Sequence, residues 1–262
     1  LEVSGTIDAV GPNAEGAVGD RVMTLVPGGG YAEAVVAHGR EVIPVPSGWS
    51  WAEAGGACES YVTAFDALFE RAGARPGERV LVHAVGSGVR LTLLQLARVV
   101  GMGVGDTSWT KAKLDRAGAM GLHEGVLVTG ETPERLPEVD VVIDLVGGRW
   151  LEAGLRALAP RGRLVLVGLL AGATATVPLG LLLARRLHVE GTVLRSRPVE
   201  EKIALARAFR ARGLPLLGDA RPVVDAVLPA TEAGEAHRRM EADATFGRTV
   251  LVWDAAERAP GT

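Results

Sequence analysis

The chain has little cysteine and no cluster of basic residues. Cys58 is the single cysteine among 262 residues, and the five histidines do not fall at zinc-ligand spacing with it. A single cysteine cannot form an internal disulfide, so the sequence predicts a reducing, cytoplasmic compartment and no structural metal. The formal net charge of -3 and the absence of a lysine or arginine run give no electrostatic signal for nucleic acid or an anionic membrane.

The sequence also lacks a recognisable signal peptide, since it opens directly on an alternating strand pattern. One uncharged run, residues 164–184, is long enough to cross a bilayer. This run is interrupted by Gly168, Gly172, Pro178 and Gly180, so we interpret it as a strand, a loop and a helix. We therefore expect no membrane-spanning segment.

Residues 1–45 show short apolar stretches broken by glycine and no helical periodicity, which predicts an antiparallel β domain. The pattern then becomes helical, starting at Ser47 or Ser50 and ending at Gly73. Ser50 is a candidate helix cap because Glu53 follows three residues later, which is the spacing of a capping box. We predict a helix over this stretch.

Strands alternate with helices in the central part of the chain, which predicts an α/β fold with a doubly wound parallel sheet. The predicted strands lie at residues 80–85, near Val104, and at residues 126–128, 139–144, 163–167 and 187–193. The predicted helices run up to Val100 and over residues 111–120, 150–158 and 179–186.

Beyond Pro198 we expect a helix to Arg212, followed by a strand, a capped helix and a strand. This tail returns to the β pattern of the first residues. The predicted dinucleotide-binding domain is therefore residues 65–198, and residues 1–64 and 199–262 are expected to fold together as a second domain.

Five predicted loops follow strands of the doubly wound sheet, and ligands bind such sheets outside the carboxyl ends of the strands. Glycine lets a backbone approach a ligand closely, and a helix amino terminus offers free N–H groups and a positive dipole end to a phosphate. Together the loops indicate a dinucleotide site. They are residues 86–88, 107–113, 146–148, 168–172 and 194–197.

Several stretches resemble the zinc-free quinone oxidoreductases of the medium-chain dehydrogenase/reductase superfamily, which include zeta-crystallin. They are "LEVSGTIDAVG", "VGDRVMTLVPGGGYAEAVV", "GERVLVHAVGSGV", "VVIDLVGG" and "VLRSRPVEEK". The chain is most similar to the branch of the tumour-suppressor-inducible quinone oxidoreductase. The resemblance implies a Rossmann domain with a GroES-like β domain whose amino-terminal part is missing. It also implies a homodimer that transfers hydride from NADPH to a quinone or enone.

The resemblance argues against a catalytic metal and gives a set of cofactor residues. Zinc-dependent relatives carry a Gly-His-Glu motif where Leu1 and Glu2 stand and a cysteine about where Glu59 stands. No catalytic residue is assigned. The implied cofactor-binding residues are Thr63, Gly86, Ser87, Gly88, Val89, Ser108, Thr110, Lys113, Gly147, Gly168, Leu169, Arg195, Ser196 and Gly247.

The choice between NADPH and NADH is not decided by spacing alone. About twenty residues after the glycine turn, where NAD enzymes carry an acid, stand Asp106 or Ser108, depending on the glycine from which one counts. The resemblance places the strand end at Ser108, followed by Thr110 and Lys113. Hydroxyl and ammonium groups suit a 2′-phosphate, so NADPH is favoured and NADH remains possible.

Arg90 departs from the dinucleotide fingerprint, which has a glycine at the opening of the helix. We expect its side chain to turn toward solvent or the phosphates and to weaken cofactor binding, so that Arg90→Gly binds NADPH more tightly. Relatives often carry a tyrosine where Val128 stands. Two alternatives stay open: an enoyl-thioester reductase, as in related polyketide synthase domains, and a redox-silent binding or scaffold protein.

Overall fold

The computed structural model describes residues 1–83, 86–133, 135–218 and 220–253. The chain divides into two compact units. The first comprises Leu1–Thr63, Ser87–Val89 and Arg195–Thr262, and the second comprises Ala64–Gly86 and Arg90–Leu194. Within the described ranges, no helix has both the length and the apolar character needed to span a membrane.

The regular elements are numbered in chain order. The strands are β1 (Glu2–Thr6), β2 (Arg21–Leu25), β3 (Ile43–Pro44), β4 (Arg79–Val82), β5 (Gly103–Ser108), β6 (Glu124–Leu127), β7 (Val139–Asp144), β8 (Leu158–Leu166), β9 (His188–Gly191), β10 (Val224–Pro229) and β11 (Arg248–Val252). The helices are α1 (Trp51–Gly55), α2 (Cys58–Phe65), α3 (Gly88–Val99), α4 (Lys111–Ala119), α5 (Trp150–Ala157), α6 (Leu179–Arg185), α7 (Val199–Ala208) and α8 (Ala233–Glu241).

The first unit contains a small antiparallel sheet in the order β1–β2–β3 and a separate parallel pair, β10 and β11. In the antiparallel sheet Glu2 lies opposite Leu25, and in the parallel pair Val227 lies opposite Val250. The apolar stretch at residues 31–36 forms no strand, and Val36 is almost fully exposed there. The predicted cap of α8 is also wrong, because no side chain bonds to its first turn.

The predicted capping box at Ser50 is confirmed. Its hydroxyl accepts a hydrogen bond from the Glu53 N–H at 3.2 Å, and the Glu53 carboxylate accepts one from the Ser50 N–H at 2.7 Å. The helical stretch ends at the predicted place, with Arg71 as its last helical residue and Gly73 at φ of 55°. It is not one continuous helix, since α1 ends at Gly55 and a π-helical segment follows α2 at Asp66–Arg71. At the break, a Cβ atom on Gly56 would lie 2.9 Å from the Cβ of Arg248 at the start of β11.

The second unit is built on a six-stranded parallel sheet in the order β6–β5–β4–β7–β8–β9. This is the Rossmann order, and the strand order reverses between β4 and β7. The apolar run of β4 is buried because both of its neighbours are parallel strands, with Val80 opposite Val104 and Val141. The predicted α/β fold with a doubly wound parallel sheet is confirmed.

The uncharged run at residues 164–184 folds as the end of β8, a loop and most of α6, as the sequence predicts. Strand β8 begins at Leu158, earlier than the predicted start at Arg163, because Leu158 already pairs with Val139. An irregularity follows in which Arg161 adopts a left-handed conformation, with φ of 69°. A pattern based on apolar residues misses this first part of the strand.

Candidate functional site

The carboxyl edge of the six-stranded sheet carries the turn between β4 and α3. Gly86 has φ of 124°, a backbone conformation that L residues with a side chain rarely adopt. The turn leads into α3, a helix of 12 residues whose first N–H groups have no intrahelical acceptor. The predicted end of this strand, Ala84 and Val85, lies outside the described residues.

Lys113 on α4 lies across the Gly86 turn. A Cβ atom built on Gly86 would be 3.0 Å from Cδ and 3.6 Å from Nζ of Lys113. A larger residue at position 86 is therefore disfavoured both by the backbone conformation and by the lysine. The structure brings these two predicted site residues together and places an ammonium group at the turn.

Ser108 is the last residue of β5 and lies beside the Gly86 turn in the sheet, because Val82 of β4 pairs with Asp106 of β5. The Ser108 hydroxyl accepts a hydrogen bond from the Thr110 N–H at 3.0 Å. Asp106 is fully buried two residues earlier, and its carboxylate accepts a bond from the Thr107 N–H at 2.7 Å. The strand therefore ends on a hydroxyl, with the acid buried within the strand.

Two further loops at this edge pack backbone against backbone. Gly147 has φ of 68°, and a Cβ atom on it would lie 3.0 Å from both the Gly172 carbonyl oxygen and the Leu169 Cδ2. The Gly168 carbonyl oxygen would be 3.2 Å away. The structure therefore brings Gly147, Gly168 and Leu169 together, as expected for loops that follow the adjacent strands β7 and β8.

Asp144, the last residue of β7, organises the first of these loops. Its Oδ1 accepts hydrogen bonds from the Val146 and Gly147 N–H groups at 2.8 and 2.9 Å. Burial raises the pKa of Asp144, while these two bonds and the positive charge of Arg90 act in the opposite direction. From the sequence Asp144 was predicted only as a strand end, although an acid two residues before Val-Gly-Gly was a usable signal.

Arg90 is buried in the first turn of α3, with 8% of its surface exposed. The expectation that it turns toward solvent is therefore wrong. Its positive charge lowers the pKa of the buried His83 and opposes the rise that burial causes in the pKa of Asp144. A nearby buried carboxylate is the kind of group that stabilises a buried cation.

His83 follows β4 and is fully buried. Neither ring nitrogen has a hydrogen-bond partner among the residues that the structure describes. Burial, assisted by the charge of Arg90, lowers the pKa of His83 to about 3, so the imidazole is neutral at physiological pH. It packs edge to face against Trp150 with ring centroids 4.9 Å apart, and Trp150 packs in the same manner against Trp109 at 5.1 Å.

The other predicted site residues belong to the first unit. Ser87 pairs with Gly247 in an isolated parallel bridge, and Gly88 contacts the side chain of Arg248, where a Cβ atom would clash. Arg248 forms ion pairs with Glu2 and with Glu59, the latter at 3.2 Å.

Glu59 and Arg248 are both affected by burial, which raises the pKa of Glu59 and lowers that of Arg248. Sequence reasoning selected Gly247 and missed the arginine that follows it. A basic residue that directly follows a glycine and opens a strand was the available signal.

Four predicted residues of the first unit are not brought together by any hydrogen bond or ion pair in the described part of the chain. Thr63 is buried on α2 and Val89 is half-buried on α3, while Arg195 and Ser196 are exposed in a turn before α7. Across the described ranges, no group of three or more histidine, cysteine, aspartate or glutamate residues could hold a metal ion.

Comparison with known proteins relates the chain to oxidoreductases. A family model described as zinc-binding dehydrogenase matches residues 88–210. The spectinabilin polyketide synthase system protein NorB of Streptomyces orinoci is 41% identical over 174 residues, which cover 64% of this chain and 8% of that protein. The chain thus spans a small fraction of that relative's length.

Two further relatives are matched over most of their length. Human quinone oxidoreductase is 29% identical over 261 residues, covering 96% of this chain and 78% of the relative. The crystal structure of the quinone oxidoreductase from Thermus thermophilus, also solved as a complex with NADPH, is 35% identical with a TM-score of 0.80 and covers 95% of this chain and 79% of that one. The chain therefore belongs to the medium-chain dehydrogenase/reductase superfamily of oxidoreductases, as its motifs predict.

Proposed function

We propose that this protein is an NADPH-dependent reductase that transfers hydride to a quinone or an α,β-unsaturated carbonyl compound without a metal. The observation that carries the proposal is the Gly86 turn with Lys113 across it, at the carboxyl edge of a Rossmann sheet. The quinone oxidoreductases matched over most of their length support the reaction class.

The residues at this edge fit a dinucleotide. Because Gly86 has no side chain, the Lys113 side chain fills the space beside it and brings its ammonium group to the turn, and α3 directs its amino-terminal dipole to the same edge of the sheet. Lys113 supplies a positive charge for the phosphates. Gly147 and Gly168 let the two loops after β7 and β8 pack closely against neighbouring backbone at the same edge of the sheet.

NADPH is favoured over NADH because β5 ends at Ser108. A hydroxyl at the strand end can donate a hydrogen bond to a 2′-phosphate, whereas a carboxylate there would repel it. Asp106 is buried within the strand and does not occupy the strand end. NADH remains the alternative cofactor.

In this proposal the reduced nicotinamide, when bound, supplies the hydride for the acceptor. The chain's own residues bind and orient the cofactor. Ser108 and Lys113 hold phosphate oxygens, and the loops at Gly86, Gly147 and Gly168 fix the backbone around the ligand. Catalysis then rests on proximity, orientation and exclusion of water, and no side chain is assigned as a proton donor.

An enoyl-thioester reductase is the second candidate function. It is favoured by the 41% identity to NorB, a polyketide synthase system protein, across 174 residues. A redox-silent binding protein is the third, and the buried cation Arg90 in place of the fingerprint glycine is the observation behind it.

The domain assignment, the compartment and the assembly are part of the same proposal. Residues 1–64 and 199–262 form the GroES-like domain and residues 65–198 the dinucleotide-binding domain of a cytoplasmic enzyme. We also propose a homodimer, since β9 is the last strand of its sheet and carries the exposed Val189. A light-scattering mass of one subunit would contradict the dimer.

A screen of electron acceptors tests the proposed reaction. NADPH oxidation is followed by the loss of reduced-nicotinamide absorbance with quinones, enones and enoyl thioesters as separate substrates. We expect turnover with a quinone or a simple enone. Turnover confined to enoyl thioesters supports the second candidate, and the absence of measurable NADPH or NADH binding in a cofactor titration supports the third.

A further inference from the structure

Trp109 is an exposed indole at the carboxyl edge of the Rossmann sheet. It directly follows Ser108, the last residue of β5, and 52% of its surface is exposed. The chain has only five tryptophans. Exposing about half of a large apolar ring to water at a strand end is energetically unfavourable, so this position needs an explanation.

A buried residue, Trp150, packs against one side of the exposed ring. Trp150, which is only 1% exposed, packs against Trp109 at 5.1 Å with an interplanar angle of 62°. Trp150 is itself fixed in a small core cluster with Val128 and Val146. Trp109 therefore has a rigid support, and the rest of its ring remains open to a ligand.

The position of Trp109 relative to the phosphate-binding turn is set by the sheet. Strands β4 and β5 are neighbours with Val82 opposite Asp106, so the loop that begins at Trp109 lies beside the turn at Gly86. Lys113, in the first turn of the helix after Trp109, reaches that turn. A dinucleotide with its pyrophosphate at Gly86 and its adenosine ribose at Ser108 would have its base at the next residue of this edge.

We propose that Trp109 is the surface on which the adenine ring of the dinucleotide stacks, an inference that rests on the proposed function. Stacking needs only the π face of the base, so it does not read the 2′-phosphate. Loss of Trp109 therefore lowers the affinity for NADPH and the affinity for NADH by the same factor. Loss of Lys113 changes the ratio of the two affinities, which separates the two roles.

Calorimetric titration of Trp109→Ala, Trp109→Phe and Trp253→Ala with NADPH, NADH and adenosine 2′,5′-bisphosphate tests the proposal. Trp253 is 48% exposed and serves as a control for loss of an exposed tryptophan. We expect Trp109→Ala to weaken all three ligands by about tenfold, Trp109→Phe to retain most of the affinity, and the control to match the wild type.

The possible failures are distinguishable. Equal affinities for the wild type and Trp109→Ala overturn the role of Trp109 while leaving the proposed function in place. A wild-type protein that binds none of the three ligands overturns both. If Trp109→Ala does not fold, Trp109→Leu keeps the contact with Trp150 without a π face, and wild-type affinity in that variant overturns the stacking role.

Discussion

The side chain of Lys113 lies across Gly86, so that a Cβ atom on the glycine would be 3.0 Å from the lysine Cδ. This relationship joins the turn after β4 to the helix after β5. The Lys113 side chain can take this position only as long as position 86 has no side chain. The first two predictions follow from this geometry.

Gly86→Ala should weaken NADPH binding and lower stability. Alanine at φ of 124° is strained by on the order of 1–3 kcal/mol, and its methyl group displaces Lys113. Thermal unfolding and calorimetric titration measure the two effects. Gly118→Ala on α4 is the matched control, because no atom lies within 4 Å of its added Cβ and alanine favours a helix. A Gly86→Ala variant as stable and as tight-binding as Gly118→Ala would contradict the prediction.

Lys113→Met should lower the affinity for NADPH by about tenfold and for NADH by less. The lost charge serves the phosphates, and NADPH carries one phosphate more than NADH. Lys111→Met provides the control on the same helix, since Lys111 is exposed and pairs with Asp115 at 2.7 Å. Equal losses for the two cofactors would show that Lys113 does not read the 2′-phosphate.

His83 should make the protein less stable in mild acid. Burial lowers the folded-state pKa to about 3, so the unfolded chain binds the extra proton between that pH and the ordinary value near 6.5. Stability from this group is fully present above pH 6.5 and falls with pH, by about 2 kcal/mol at pH 5.

Denaturant unfolding at several pH values checks this expectation. His83→Leu should flatten the decline between pH 6.5 and 5, and His188→Gln, at an exposed position of β9, should leave it unchanged. An identical pH dependence for the wild type and His83→Leu would exclude His83 as the cause.

Arg90→Met should lower the free energy of unfolding, because Asp144 loses a nearby positive charge that acts to lower its pKa. With the charge gone, the pKa of Asp144 rises further. A carboxyl group whose pKa is higher in the folded protein than in the unfolded chain lowers the stability of the protein as the pH rises through these values. The difference in unfolding free energy between Arg90→Met and the wild type should therefore shrink in acid.

Arg98→Met, at an exposed position of α3, is the control and should change stability little. If Arg90→Met unfolds with the same free energy as the wild type, the buried charge does not contribute to stability as proposed. The tighter NADPH binding expected for Arg90→Gly stays a prediction. The same variant is now also expected to lose stability, so its binding must be measured below its unfolding temperature.

Local patterns predicted those parts of the fold that neighbouring residues determine. The capping box of Ser50 and Glu53 and the helix that starts at Lys111 lie where their spacing places them. The parallel sheet was predictable because apolar strands alternate with helices. The break after Gly55 was not, and it lies where Arg248, almost two hundred residues away in the sequence, packs against Gly56.

Some features of the candidate site were likewise predictable from the sequence, and others depend on residues that only folding brings together. Gly86 was predictable from its place in a glycine turn after a strand, because its backbone conformation is a local property. Ser108 was not predictable from spacing, which left Asp106 and Ser108 open, and the strand end at Ser108 was implied by the family resemblance. The inward position of Arg90 was not predictable, because its neighbours Asp144 and His83 lie at the ends of two strands and only the folded sheet brings them near it. Trp109 was visible in the sequence as part of a loop, but its support by Trp150 required the structure.

The central claim, that the carboxyl edge of the sheet binds NADPH, is tested most directly by calorimetric titration of the wild-type protein with NADPH and NADH at one salt concentration. The predicted result is saturable binding of NADPH that is tighter than binding of NADH. Absence of binding, or tighter binding of NADH, would contradict the claim.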